Sequence, residues 1–333
     1  MLRFFEDFPV GLSEVYGPVV AAKEAIVAFA REYDPQPFHV DEELAKRSFM
    51  GTLVASGWHT CALNMRLIAD GFLLGATSLG SPGLEEVNWL KPVLPGDALR
   101  TRMTVTDARP SKSRPEVGLL HFRFEMLNQR DEAVMTQSNW IMFGRRGYPW
   151  PPAPGAGPPA DAAPGPDPAP PPVARPPAYH DEMAVGDVTE LGSYRFEADD
   201  IVTFARAYDP QPFHVDPEAA KRSLFGGLCA SGWHTAAIWM KLLIAHRQRT
   251  EAQPSRRAPQ LGPSPGFRNL RWLRPVYAGD TISYRSVITG LRASASRPGW
   301  GLAFHRNSGT NQHGDEVFSF EGMVFVERRE PTA

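Results

Sequence analysis

The stretch YDPQPFHVDEELAKRSFMGTLVASGWHT, residues Tyr33–Thr60, returns without a gap as YDPQPFHVDPEAAKRSLFGGLCASGWHT, residues Tyr208–Thr235. Of these 28 positions 22 are identical, so the chain is a tandem duplication and reads as two related domains. Each copy opens with an Asp and a His five residues apart: Asp34 with His39, and Asp209 with His214. Two prolines stiffen the loop between them, and such a loop can aim an acid/base pair at one small target.

Working outward, Ile26, Phe29, Ala30 and Tyr33 fall at i, i+3, i+4 and i+7, as do Ile201, Phe204, Ala205 and Tyr208. That spacing predicts one apolar face of a short helix ending at the motif, because the prolines cannot continue it. A short amphipathic helix, Asp41–Ser48 or Asp216–Ser223, is predicted next. A Gly-punctuated entry then leads into a longer helix. In it Trp58, Cys61, Ala62, Met65, Ile68, Ala69 and Phe72 hold helical spacing, and Trp233, Ala236, Ala237, Met240, Leu243 and Ile244 repeat it. This helix is apolar over much of its surface and reads as deeply buried.

Beyond it the offset between the repeats rises from 175 to 183 residues, through an insertion around Arg249–Gly262. The remainder reads as strands. VNWLKPVLPGDALR and LRWLRPVYAGDTIS match at Trp89/Trp272, Pro92/Pro275 and the Gly-Asp turns. In LLHFRFEML, Phe122, Phe124 and Met126 alternate with His121, Arg123 and Glu125, as in a strand with one wet face. One buried helix with an antiparallel sheet is an α+β layer arrangement. The strand region HRNSGTNQHGDEVF of the second repeat is more irregular, so that repeat's own substrate tunnel is expected to be altered.

The domains are bounded at residues 1–148 and 178–333, with a linker at 149–177. From Pro151 to Pro177 nearly every residue is Pro, Ala, Gly or Asp, which cannot bury enough apolar surface to fold and favours extended polyproline II. A Pro-rich signalling ligand is the rival reading, but no basic residues flank a regular PxxP. A chain of 333 residues with 42% hydrophobic and 22% charged residues fits two soluble globular domains. A net charge of −2 offers no case for nucleic acid or an anionic membrane. No stretch reaches the apolar length of a membrane span, and no secretory signal is visible in MLRFFEDFPVGL. Cys61 and Cys229 occupy unrelated positions in the repeats, which suits core thiols of a cytoplasmic protein.

The order of helix, DxxxxH loop, short helix, Gly-Ala-Ser-rich helix and Gly-Asp hairpin resembles the MaoC-like dehydratases, the (R)-specific enoyl-CoA hydratase group. The resemblance covers both halves and excludes the linker. It implies two hot-dog domains, each an antiparallel sheet wrapped round a central helix, packed as a pseudo-dimer within the chain; further homo-oligomerisation is left open. Where the family commonly has Asn two residues after the Asp, this chain has Gln36 and Gln211, which can make the same amide hydrogen bonds. The family-typical Gly before the Asp is Tyr in both repeats.

The resemblance implies reversible hydration of trans-2-enoyl thioesters to (R)-3-hydroxyacyl thioesters, with Asp34/His39 and Asp209/His214 as acid/base pairs. CoA or an acyl-carrier thioester enters as part of the substrate, with no further cofactor and no metal. Water must lose a proton as it attacks the β-carbon, and the α-carbon must gain one. The enolate oxygen needs donors, and a helix N-terminus supplies free N–H groups. Gly51 and Gly226 would place such an N–H near the thioester carbonyl, with Gly57 and Gly232 at the helix entry. Ser56 and His59, or Ser231 and His234, lie on one helical face and can look into the site; the competing roles are helix caps for the serines and core histidines for the imidazoles. Arg114 and Arg297, in recurring Ser-Arg-Pro turns, suit the phosphates of a CoA carrier or are simply solvated charge. Two other readings share the thioester ligand: a hot-dog thioesterase, and a non-catalytic acyl-thioester-binding module.

Overall fold

A computed structural model of the chain describes residues 1–158, 164–170, 178–251 and 257–329. The first repeat runs β1 (Ser13–Val20), α1 (Lys23–Tyr33), α2 (Pro37–Val40), α3 (Glu42–Lys46), α4 (Gly57–Gly71), β2 (Gly83–Trp89), β3 (Ala98–Pro110), β4 (Val117–Leu127) and β5 (Ala133–Gly144). The second repeats the order: β6 (Val188–Arg195), α5 (Ala198–Tyr208), α6 (Pro212–Val215), α7 (Pro217–Lys221), α8 (Gly232–Glu251), β7 (Gly266–Trp272), β8 (Thr281–Ala293), β9 (Trp300–Thr310) and β10 (Glu316–Glu327). Part of the Arg249–Gly262 insertion and two pieces of the Pro-rich linker lie outside the described residues.

The expected boundaries follow from local chemistry. α1 and α5 stop at Tyr33 and Tyr208, one residue before the motif Asp. Asp41 and Asp216 cap α3 and α7 through their side chains, which satisfies N–H groups that have no intrahelical acceptor. The Gly-Asp turns connect β2 to β3 and β7 to β8, which do not pair with each other, so they are crossovers rather than the expected hairpins. In them Gly96 and Gly279 take left-handed φ values of 86° and 94°, and the next Asp accepts a hydrogen bond from the backbone N–H of Leu94 or Tyr277.

All ten strands form one antiparallel sheet in the order β1-β3-β4-β5-β2-β7-β10-β9-β8-β6. It is two five-stranded sheets joined edge to edge through β2 and β7, where Leu84 pairs with Leu270 and Val87 with Phe267. The joint removes an exposed edge from each half. Each half wraps its long helix, α4 or α8, so the fold is the expected α+β double hot-dog with an intramolecular pseudo-dimer. One hydrophobic core crosses the repeat boundary and includes Trp58, Phe29, Phe204, Trp239 and Phe267. Aromatic contacts cross as well: Phe29 meets Tyr208 at 5.6 Å and Tyr33 meets Phe204 at 5.7 Å between ring centroids.

In β4, Phe122, Phe124 and Met126 are buried, as the alternation predicted. Both cysteines are buried and unpaired. Among the described residues no helix is long and apolar enough to cross a membrane. The described linker residues lie in extended contact with the second repeat. Gly155 N–H donates to Ser223 O at 3.1 Å, Gly165 N–H to Gly279 O at 2.8 Å, and Arg195 pairs with Asp167.

Candidate active site

Asp34 caps the end of α1, and the turn through Pro35 to α2 brings His39 back toward it. His39 Nε2 stands 3.5 Å from Asp34 Oδ2, with the two residues only 6% and 2% exposed. That gap is too long for a direct hydrogen bond and suits one small molecule touching both groups. His39 Nδ1 lies 2.8 Å from the carbonyl oxygen of Val54. A carbonyl only accepts, so Nδ1 carries the hydrogen and Nε2 presents its lone pair toward Asp34.

The carboxylate is held from both sides. Gln36 Nε2 donates to Asp34 Oδ1 at 2.9 Å, and Ser56 Oγ donates to Oδ2 at 2.6 Å. Gln36 therefore makes the amide contact expected of it. Ser56 also accepts from Trp58 N–H, so the same hydroxyl caps α4 and orients the acid. The second motif reproduces the arrangement. His214 Nε2 is 3.5 Å from Asp209 Oδ2, Gln211 and Ser231 donate to the carboxylate at 3.0 and 2.6 Å, and His214 Nδ1 faces Cys229 O.

The surroundings of the two pairs differ. Asp34 and His39 line a chamber of about 1110 Å³ that runs past α8, at Trp239, Met240 and Leu243, to the inner face of β8–β10 at Ser286, His305 and Asn307. The first repeat's acid/base pair thus opens into the second repeat's interior. Asp209 and His214 do not line this chamber. The interior of the first repeat, α4's own hot-dog, is packed with Phe8, Phe72, Phe122, Phe124 and Phe143.

Glycines report the same asymmetry. Gly51 and Gly226 both have φ of +68°, but nothing lies within 4 Å of a Cβ built on Gly51. A Cβ on Gly226 would stand 2.3 Å from Gly155 O and 2.4 Å from Gly157 N of the linker. Among the described residues the linker covers this turn in the second repeat only. The second repeat's strand region lines the chamber, and the motif residues that reach the chamber are those of the first repeat.

Not all expected site residues meet the chamber. Gly51 and Gly226 spend their N–H groups on Ser48 O and Ser223 O at 3.1 Å, and Gly51 does not line it. Gly57, the first residue of α4, does line it, and its N–H has no acceptor among the described residues. The Trp89 ring lies over Gly57 so closely that a Cβ would fall 2.6 Å from Trp89 Cε2; Gly232 is covered in the same way by Trp272. His59 and His234 are in the core and away from the chamber. They stack on Phe29 and Phe204 at 4.6 Å, and burial pushes each imidazole down to about 3. Helical spacing placed them beside Ser56 and Ser231, but the neighbouring aromatic of α1 or α5 claims the ring. Ser56 and Ser231 are fully buried and act on the Asp.

Arg297, exposed at the β8–β9 turn, lines the chamber, whereas Arg114 at the β3–β4 turn pairs with Glu116 at 2.9 Å away from it. Sequence reasoning missed the lining that β8–β10 supply, His305 and Asn307 above all. Their signal was present as polar residues at the places held by Phe122 and Phe124 in the first repeat. Among the described residues no three His, Cys, Asp or Glu side chains gather so as to hold a metal ion.

Several known proteins are similar to this chain. The uncharacterized protein YdeM of Bacillus subtilis (strain 168) is 32% identical over 141 residues, 42% of this chain and 98% of its own. The mesaconyl-CoA hydratase of Cereibacter sphaeroides is 35% identical over 68 residues, 20% of each chain, and the 3-hydroxybutyryl-CoA dehydratase of Methylorubrum extorquens is 29% identical over 116 residues, 33% of this chain and 69% of its own. Among solved structures, a putative MaoC domain protein dehydratase from Chloroflexus aurantiacus J-10-fl superposes over 99% of this chain and 98% of its own with a TM-score of 0.77 at 20% identity. A Mycobacterium tuberculosis protein described as a double hot-dog superposes over 98% of both chains with a TM-score of 0.70 at 18% identity. The model of the MaoC like domain matches twice, over residues 13–120 and 175–298, once for each copy of the motif, and the chain therefore belongs to the MaoC-like dehydratase family.

Proposed function

We propose that this protein is a hydro-lyase that reversibly adds water to trans-2-enoyl thioesters, enoyl-CoA above all, to give (R)-3-hydroxyacyl thioesters. We assign the reaction to Asp34 and His39. The observation that carries the reading is the 3.5 Å gap between His39 Nε2 and Asp34 Oδ2 at the wall of a large chamber. Two relatives named as acting on CoA thioesters, a hydratase and a dehydratase, support the reaction class.

A water in that gap can donate one hydrogen to the carboxylate and the other to Nε2, which leaves its oxygen lone pairs facing the substrate. As the oxygen bonds to the β-carbon, a water proton passes to the pair. The π electrons move toward the thioester carbonyl, and the pair returns a proton to the α-carbon. The acid and the base stand on one side of the substrate, so the two additions are syn. Gly57 N–H, free at the N-terminus of α4, is the donor for the enolate oxygen.

Loss of enoyl-thioester absorbance tests the reading with crotonyl-CoA and longer enoyl-CoAs. Turnover by the wild type that Asp34→Asn abolishes is expected. Activity that survives in Asp34→Asn/Asp209→Asn would exclude the Asp/His mechanism. Thiol release in place of hydration would identify a thioesterase.

A further inference from the structure

The chamber wall in the second repeat carries polar side chains where the first repeat carries packed hydrocarbon. Ser286, His305 and Asn307 stand 183 residues after Met103, Phe122 and Phe124, the offset that also relates Trp89 to Trp272. Strand registers confirm the equivalence. Met103 pairs with Phe124 across β3–β4, and Ser286 with Asn307 across β8–β9. Phe122 pairs with Asn139 across β4–β5, and His305 with Gly322 across β9–β10. The three first-repeat side chains are at most 1% exposed and fill the interior. Their three counterparts are smaller or more polar, and all line the chamber.

Two polar atoms of this wall find no hydrogen-bond partner among the described residues. Asn307 is 1% exposed, and its Oδ1 is buried with no hydrogen-bond partner among the described residues. His305 is half-buried as a residue, but its Nε2 is a buried atom and also lacks one. Its other nitrogen, Nδ1, lies 3.2 Å from Ser286 Oγ. With the Ser286 hydroxyl donating to Nδ1, Nε2 carries the hydrogen and is a donor. Burial holds the ring of His305 down at about 4, so it is neutral at physiological pH. A neutral donor and a neutral acceptor therefore wait on one wall of the chamber, and leaving such groups unmade is costly.

We propose that this wall is a subsite for a hydroxyl group on the acyl chain of the substrate, so that the protein prefers hydroxylated acyl thioesters to plain alkyl ones. A hydroxyl accepts from His305 Nε2–H and donates to Asn307 Oδ1, which completes both groups at once. A methylene completes neither. A carboxylate would set a second acceptor against Asn307 Oδ1 and finds no cation in this trio. The subsite rests on the proposed function for its setting, because the reacting end of the chain must lie at Asp34 and His39 while the tail reaches β8–β10.

The test separates binding from turnover. Calorimetry compares saturated acyl-CoAs that cannot react: butanoyl-, hexanoyl- and decanoyl-CoA against their ω-hydroxy and ω-carboxy counterparts. Hydration rates are read in parallel for the matching trans-2-enoyl-CoAs. At one chain length the ω-hydroxy compound is expected to bind about 10-fold or more tightly than the alkyl one, and to show the higher kcat/KM. The preference should vanish in Asn307→Leu and in His305→Phe, the residue that the first repeat uses at the equivalent place. Should a variant fail to fold, the wild-type preference still decides. Equal or better binding of alkyl chains at every length would overturn the subsite, as would a preference for the carboxylate. Hydroxyl-selective binding without hydration would keep the subsite and overturn the proposed function. Hydration without hydroxyl selectivity would do the reverse.

Discussion

Gly51 and Gly226 share a left-handed φ of +68°, yet the first faces open space and the second is pressed against the linker backbone at Gly155 and Gly157. One turn was duplicated and then given two environments. The same division runs through the whole site: two Asp/His pairs with matching internal geometry, of which Asp34/His39 lies on the large chamber.

Unequal roles follow for the two carboxylates. Asp34→Asn keeps the size of the side chain and removes its charge, so kcat/KM on an enoyl-CoA should fall by about 10²–10⁴-fold. Asp209→Asn should leave it within about threefold of the wild type, because the second pair does not line the chamber and the linker covers the neighbouring turn at Gly226. Steady-state hydration assays on both variants decide this; equal losses would place two working sites in the chain.

Ser56 both caps α4 and orients Asp34. Ser56→Ala should cost about 1–3 kcal/mol of stability, from the lost cap and the poorer solvation of a buried carboxylate, and should lower kcat as well. Ser231→Ala should cost a similar amount of stability and leave kcat unchanged. Denaturant melts together with rates on the two variants distinguish the shared structural role from the one tied to chemistry.

The pH dependence of stability should carry the mark of His59 and His234. Each is neutral in the fold, with burial pushing it down to about 3 from an ordinary value of 6.5, and each regains the ordinary value on unfolding. Below pH 6.5 the unfolded chain binds more protons than the folded one, so stability falls as the pH drops from there toward about 3. Each histidine adds a slope of up to about 1.4 kcal/mol per pH unit. His59→Phe keeps the stack on Phe29 and should flatten the slope by up to one proton. Urea unfolding at a series of pH values between neutrality and mild acid measures it; an unchanged slope would mean that His59 is accessible to protonation in the fold.

Packing should respond differently at equivalent places. Phe124→Ala removes a ring that is 1% exposed and should cost about 3–5 kcal/mol. Asn307→Leu, at the matching position in β9, replaces a buried amide whose oxygen is unpaired and should not destabilise. Thermal and chemical melts of the two variants test whether the first interior is filled and the second is open.

Much of this molecule could be read along the chain because the deciding interactions are local. The duplication shows directly as repeated sequence, while the helix ending at Tyr33, the Pro-stiffened return to His39 and the alternation of Phe122 and Phe124 depend on residues a few places apart, and periodicity and turn chemistry record such neighbours directly. The Asp/His juxtaposition belongs here too, since five residues in a rigid turn leave little freedom. Where a side chain ends up among distant ones is set by packing. His59 shares a helical face with Ser56, but Phe29 takes it into the core. Gly51 stands where a donor was expected, but its N–H closes a turn on Ser48 and leaves Gly57 facing the chamber. The union of the first repeat's acid/base pair with the second repeat's interior needs the β2–β7 joint, and the difference between the two interiors needs the strand registers that set Ser286 beside Asn307. Those contacts join residues more than a hundred positions apart in some cases, and pattern rules that act over a helical turn or a hairpin do not reach that far.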